Sequence, residues 1–382
     1  MFNYIIIGSG FSGSVIAERI ANVLNQKVLI IEKRNHIGGN CYDYKDKNNI
    51  IIHKYGPHLF HTDYKDVFDY LSNFTDWELY SHRVLAFVDG KKIPIPFNLN
   101  TLYEVFPISL SQKLETKLLS KFQYNSKVPI LELLKEEDAD LRFLANYIYE
   151  KIFKKYTVKQ WGLKPEEIDP QVTARVPVYI SKDNRYFTDR YQAIPKEGYT
   201  KIFENMLNNK NIKIMLNTDF KELIDIDMEN KKIYFMKQEF KGTLIFTGMI
   251  DELFNFKYGY LPYRSLNLRF ESIDQEYYQE APVVNYPNDY DFTRITEFKH
   301  IHPTKSNKTT ILKEYPKAYQ PNIDIPYYPI FTKENQECYN RYKELSKEFD
   351  NLILLGRLAE YRYYDMDDVV KRALGVFEER IR

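Results

Sequence analysis

Apolar residues open the chain in an unbroken run, Tyr4-Ile5-Ile6-Ile7, and after a stretch of glycine and serine they recur at helical spacing through Val15-Ile16-Ala17 and Ile20. The pattern predicts a strand, a tight turn and a helix. A second run, Val28-Leu29-Ile30-Ile31, predicts a neighbouring strand buried on both faces. Much later, similar runs at 212–216, 244–246 and 351–356 predict further strands, with helices over 199–207 and 365–382. Residues 232–235 are expected to return to the same sheet. These elements imply one domain assembled from three separated segments of chain.

Between them the period changes. Residues 50–52 read as a strand that breaks at Gly56-Pro57 into a loop carrying His58 and His61. Residues 83–88 and 92–95 flank Asp89-Gly90, a hairpin signal. From 102 to 156 the pattern is largely helical, interrupted by Pro107 and Pro129, and a polar stretch with Pro165, Pro170 and Pro177 comes next. Alternating residues at 265–270, 283–286, 292–298 and 309–315 predict a separate antiparallel sheet, closed by proline-rich chain at 316–329.

The first turn carries chemistry. Gly8-x-Gly10-x-x-Gly13 stands between strand and helix: Gly8 turns the chain, Gly10 admits a pyrophosphate, and Gly13 lets helix and strand pack closely. The helix N-terminus then offers unpaired N–H groups to an anion. The second strand ends on Glu32, nineteen residues past Gly13, where a carboxylate meets ribose hydroxyls. A second glycine pair, Gly38-Gly39, comes soon after, so the backbone must approach something else closely. An extended dinucleotide such as FAD runs that way, which favours FAD over NAD. No second Gly-x-Gly-x-x-Gly occurs among the 14 glycines, so no NAD(P)H domain is expected.

Composition narrows the rest. At 382 residues the chain exceeds what one core usually holds, and 44% hydrophobic with 28% charged residues describes a globular protein. A net charge of +1 argues against nucleic acid or an anionic membrane as the main partner. No apolar run is long enough to span a membrane and none reads as a signal peptide, so a cytoplasmic location is expected. Cys41 and Cys338 are far apart and the seven histidines show no metal-ligand spacing, so no metal is expected. Most of the 33 tyrosines are expected to pack at a surface or core edge, although tyrosine beside arginine also suits stacking on sugars and bases.

Five ordered motifs are more specific: Ile31-Glu32-Lys33-Arg34-Asn35-His36-Ile37-Gly38-Gly39-Asn40, His53-Lys54-Tyr55-Gly56-Pro57-His58-Leu59-Phe60-His61-Thr62, Tyr156-Thr157-Val158-Lys159-Gln160-Trp161-Gly162, Thr293-Arg294-Ile295-Thr296-Glu297, and Gly356-Arg357-Leu358-Ala359-Glu360-Tyr361-Arg362-Tyr363-Tyr364-Asp365-Met366. Through them the chain resembles the prokaryotic UDP-galactopyranose mutases over nearly its whole length. The resemblance implies an α/β fold: an FAD-binding Rossmann-like domain from three segments (1–77, 196–258 and 344–382), a helical insertion domain (98–170), and an antiparallel β-sheet substrate domain (78–97, 171–195 and 259–343).

It implies an isomerase interconverting UDP-galactopyranose and UDP-galactofuranose with no net redox change. In that family reduced flavin N5 attacks the anomeric carbon, UDP leaves, an iminium forms, and the sugar ring opens and recloses. The product serves cell-surface polysaccharide synthesis, and the enzyme is a homodimer. By the same resemblance Arg175 and Arg294 hold the diphosphate and His61 lies beside the flavin ring. Cofactor contacts fall on Gly8, Gly10, Ser12, Gly13, Glu32, Lys33, Gly39, Asn40, His58, Leu59, Asp219, Arg357, Tyr364, Asp365 and Met366. The substrate pocket falls on His82, Tyr156, Thr157, Trp161, Tyr186, Asn285, Tyr328 and Tyr363. An FAD-dependent amine oxidase or desaturase shares the opening fingerprint and the three-segment domain but needs no paired arginines for a diphosphate.

Overall fold

The computed structural model describes residues 2–162 and 177–382. A parallel sheet of five strands runs in the order Ile212–Met215, Val28–Ile31, Tyr4–Ile7, Thr243–Phe246, Leu352–Leu354. Side chains alternate across it. Ile6 and Ile30 face a core built from the helices Phe11–Val23, Tyr199–Leu207 and Met366–Val376, while Ile5, Ile7, Leu29 and Ile31 face a second core that includes the helix Lys333–Ser346. Both faces are covered, which is why the strands read as unbroken apolar runs.

One strand expectation fails. Lys232–Phe235 pairs with Ile224–Asp227 and Gln238–Glu239 in a separate three-stranded meander that packs against the second core, and does not enter the parallel sheet. Its sequence alternates as a half-buried strand should, and alternation does not say which sheet receives it.

The other large sheet has seven strands, in the order Tyr328–Pro329, Tyr263–Ile273, Thr309–Ala318, Arg294–Glu297, Val283–Asn285, Val84–Val88, Lys91–Ile95. Every pairing is antiparallel except that of Val283–Asn285 with Val84–Val88. Asp89 and Gly90 both have positive φ, 49° and 80°, the turn that matches strand twist in a two-residue hairpin. The buried face of this hairpin meets the helices Leu99–Val105, Ile108–Lys121 and Ala139–Ile148 in a third core. Asn98 starts the first of these helices, accepting the amides of Asn100 and Thr101, and Asp138 caps the last in the same way.

The helical region holds two features its periodicity hides. A short strand, Lys127–Pro129, pairs with Pro177–Tyr179. A π-turn, Tyr149–Phe153, comes directly before the helix Lys154–Trp161, and the extra residue of such a turn rotates the faces of that helix. His61 lies in a strand, not a loop: Phe60–Thr62 pairs with Tyr191–Ala193.

Candidate functional site

A cleft opens over the carboxyl ends of Tyr4–Ile7 and Val28–Ile31, the place where an open α/β sheet receives its ligand. It encloses about 1420 Å3, its open mouth included. Of the sequence-predicted cofactor residues, Gly8, Gly10, Ser12, Glu32, Lys33, Gly39, Asn40, His58, Asp219, Arg357, Asp365 and Met366 line it. Gly13, Leu59 and Tyr364 do not. A Cβ on Gly13 would sit 2.0 Å from the Gly8 carbonyl oxygen, so that glycine serves helix–strand packing. Leu59 packs with the cluster around Ile50, Ile52 and Ile194. Tyr364 contributes its carbonyl, which accepts from Arg357 Nη2 at 2.5 Å.

The second glycine pair closes on the first. Gly38 donates to the Ser9 carbonyl at 3.0 Å, and a Cβ on Gly39 would come within 2.8 Å of Gly10 Cα. The close approach inferred from sequence is therefore made first to the Gly8–Gly13 loop. Glu32 ties the same parts together: one oxygen accepts Ser9 N–H and Oγ–H at 3.0 and 2.8 Å, the other the Arg34 amide at 3.0 Å. Arg34 donates to Asn40 Oδ1 at 2.8 Å, but its buried Nη1 has no hydrogen-bond partner among the described residues. A buried donor left unsatisfied costs about 1–3 kcal/mol. Together with side-chain-free backbone at Gly10 and Gly39, it fits a cleft shaped for a phosphate-bearing dinucleotide.

His58 stands at the inner end. Its Nδ1 donates to the Gly56 carbonyl at 2.9 Å, leaving Nε2 as the acceptor. Burial pushes the ring down to about 4, the Gly56 carbonyl offsets part of this, and Arg357 and Arg294 lower it further, so it is neutral near pH 7. Its amide donates to His53 Nδ1 at 2.9 Å, which puts the His53 proton on Nε2, donating to His302 Nε2 at 3.0 Å. Asp43 lies beside this pair with all three groups within 4.8 Å, its oxygens taken by the Tyr199 and Thr200 amides at the start of a helix.

Beyond His58 the wall becomes aromatic and cationic. Arg357 lies 5.2 Å over the Tyr328 ring and 5.4 Å over Tyr363, two rings stacked at 5.7 Å, and Trp161 meets Tyr328 at 5.9 Å. Arg294 Nε donates to Glu314 Oε1 at 2.7 Å, and Arg294 and Asn285 are cross-strand partners. Burial works against the Arg294 charge, but Glu314 and Tyr156 hold its pKa well above the ordinary arginine value. Both of its terminal nitrogens lack a hydrogen-bond partner among the described residues. Thr157 is buried in the helix that carries Tyr156 and Trp161.

On the far side His61 stacks on Phe187 at 3.6 Å, and His82 meets Tyr186 at 5.7 Å and Phe187 at 5.8 Å. Burial, with Arg294 and His61 nearby, pushes His82 down to about 3. His61 thus belongs to this aromatic region and is absent from the cleft wall. Arg175 lies outside the described residues. Residues that sequence reasoning missed are Arg34, Thr218, Thr247, Glu252 and the Asp324–Tyr327 crossing on the cleft wall, with Phe187 and Glu314 beyond it. Only Arg34 sat inside a motif that could have flagged it.

Known proteins resemble this chain in sequence and in fold. The family model for UDP-galactopyranose mutase matches residues 151–363, and that for an NAD(P)-binding Rossmann-like domain matches 6–74. The dTDP-fucopyranose mutase of Escherichia coli is 36% identical over 378 residues, covering 98% of this chain and 97% of that protein. The UDP-galactopyranose mutase of Mycoplasma genitalium is 36% identical over 377 residues, covering 97% and 92%. The crystal structure of a reduced UDP-galactopyranose mutase aligns with a TM-score of 0.73 at 15% identity over 99% of this chain and 93% of that one. A putrescine oxidase shares the fold at TM-score 0.58 and 9% identity. With a family model spanning more than half of its length and full-length relatives above 30% identity, the chain belongs to the UDP-galactopyranose mutase family of isomerases.

Proposed function

We propose that the protein interconverts UDP-galactopyranose and UDP-galactofuranose, using FAD held in the cleft between Gly10 and Arg357. The observation that supports this best is the junction at His58, where a dinucleotide-shaped cleft meets an arginine whose terminal nitrogens lack partners among the described residues, with aromatic rings beyond. Ser12, Lys33, Asn40, Asp219, Arg357, Asp365 and Met366 all line this cleft, and by family resemblance they hold the cofactor, Asp219 at its adenosine end. When bound and reduced, the flavin supplies a nucleophilic nitrogen for the anomeric carbon.

The protein's own task is then to hold the sugar nucleotide and stabilise the departing diphosphate. Arg294 is suited to it: Glu314 fixes the guanidinium through Nε and leaves the fork of two terminal nitrogens for oxygens of the leaving group. Arg175, by family resemblance, is the second cation. Tyr328, Tyr363 and Trp161 form one wall, and Tyr186 and His82 the other. Neutral His58 and His82 add no charge that would compete for the diphosphate. The product, UDP-galactofuranose, fits supply of cell-surface polysaccharide synthesis.

The fucopyranose mutase is as similar in sequence as the galactopyranose mutases, which supports a second substrate class, dTDP-6-deoxyhexoses. The test is product analysis of UDP-galactopyranose, UDP-galactofuranose and dTDP-fucopyranose incubated with the flavin-loaded, reduced protein. Ring isomerisation of one nucleotide class at a rate at least tenfold above the other assigns the substrate; no isomerisation of any overturns the reading.

A further inference from the structure

Arg264 is a buried arginine, 8% exposed, with no carboxylate paired to it among the described residues. Burial lowers its pKa below the ordinary arginine value, with no acidic group compensating. A guanidinium in that position needs strong acceptors. Its acceptors are main-chain carbonyls: Nε donates to Gln160 O at 2.9 Å and Nη2 to Lys159 O at 3.2 Å. These belong to the last turn of the helix Lys154–Trp161, where carbonyls lack intrahelical donors and carry partial negative charge.

The same residue holds the opposing wall. Its backbone is in register with Tyr328, and its carbonyl accepts the Tyr327 amide at 3.0 Å. One residue therefore grips, by its side chain, the helix end carrying Trp161 and, by its main chain, the strand carrying Tyr328, the two rings that meet at 5.9 Å. Gly162, the left-handed cap at φ +68°, lies against the guanidinium so closely that a Cβ there would come within 2.8 Å of Nη1. A second cation steadies the helix from its other side: Lys159 Nζ donates to the carbonyls of Tyr286 at 2.8 Å and Asn288 at 2.6 Å.

We infer that Arg264 is a positioning residue for the nucleotide-sugar site: through the carbonyls of Lys159 and Gln160 it sets Trp161 against Tyr328 and so completes the aromatic wall without touching the substrate. The inference rests on the proposed function for what the wall binds, and on the geometry alone for what holds it.

Trp161 and Trp77 are the only tryptophans, so Trp77→Phe leaves Trp161 as the one tryptophan, excited selectively beyond the tyrosine absorption band. In that background the emission maximum and anisotropy of Trp161 are measured without ligand for Arg264, R264M and R264K, and UDP is then titrated into each. For R264M a red-shifted, less anisotropic Trp161 is expected, with UDP affinity reduced about three- to tenfold, the scale of one aromatic contact. KM should rise more than kcat falls. R264K should lie between, since an ammonium keeps the charge but lacks the fork. Should R264M not fold, R264K carries the test. Ligand-free Trp161 emission identical to the parent in the folded variants overturns the inference. Absence of any UDP response in the parent instead refutes the functional reading, while the ligand-free spectra still report on the grip.

Discussion

Arg294 and Glu314 occupy directly opposed positions on adjacent antiparallel strands, with Nε 2.7 Å from Oε1. The glutamate is fully buried and its second oxygen has no hydrogen-bond partner among the described residues, whereas the arginine is about a quarter exposed, 27% for the side chain. The pair thus faces the site from one end only, with the carboxylate behind and the guanidinium in front.

Arg294→Ala removes the cation that should stabilise the departing diphosphate. On the scale of charge-assisted contacts and oxyanion stabilisation, kcat/KM should fall roughly 30- to 1000-fold, and kcat should fall as well as KM rise, because the contact strengthens as charge develops. The variant also strands a buried carboxylate, so stability should drop by about 3–5 kcal/mol. Arg294→Lys should recover part of both. Steady-state kinetics with thermal unfolding check this; an alanine variant with kcat near the parent's contradicts the role.

Gly39→Ala should lose flavin while Gly90→Ala keeps it. Both glycines have positive φ, 56° and 80°, so each alanine incurs a backbone penalty of about 1–2 kcal/mol. Only at Gly39 does the new methyl also meet backbone, Gly10 Cα at 2.8 Å, in the wall of the cleft. Flavin absorbance per mole of folded protein separates the two; equal content in both variants contradicts the placement.

Stability should fall as the solution is acidified below about pH 6.5, the ordinary histidine value. Burial lowers the pKa of His36 and His53, and takes His58 and His302 to about 4 and His82 to about 3. Between those values and the unfolded value of about 6.5 the unfolded chain binds more protons, so stability rises with pH across that window and is complete above it. Asp251, pushed up to about 6 by burial, works in the opposite sense, as do Asp43, Asp367 and His300. The five histidines act over a wider window and should prevail. The check is the melting temperature from about pH 7.5 to about pH 4.5, a range that brackets the unfolded histidine value, and it is expected to decline. A flat or rising profile contradicts the neutral buried rings.

Legibility along the chain tracks the physics of each part. Strands buried on both faces announce themselves as unbroken apolar runs, so Tyr4–Ile7, Val28–Ile31 and Thr243–Phe246 were readable along with the glycine turn between the first strand and its helix. Lys232–Phe235 was readable as a strand but not as a member of a particular sheet, since pairing partners are chosen by tertiary packing. The Arg294–Glu314 pair depends on the register of two strands, and Arg264 has no sequence signature that separates it from a solvated arginine. His53 and His302, 249 residues apart, meet only because the strand Ile51–His53 packs against the turn that follows Phe298–His300. Motif resemblance reached further than periodicity, drawing together cleft and pocket residues from five places in the chain, although His61, Gly13, Leu59 and Tyr364 stand away from the cleft wall.

If a reduced flavin in this cleft acts on the anomeric carbon of a nucleotide sugar without being consumed, the oxidation state of the flavin alone must switch the activity on and off. The decisive measurement follows UDP-galactofuranose conversion with one preparation of flavin-loaded protein, divided into air-oxidised and dithionite-reduced halves, the reduced half kept anaerobic. Conversion to UDP-galactopyranose over many turnovers is expected in the reduced half, with no stoichiometric loss of reductant, and none in the oxidised half. Equal rates in the two halves, or reductant consumed in step with product, would contradict the flavin's role.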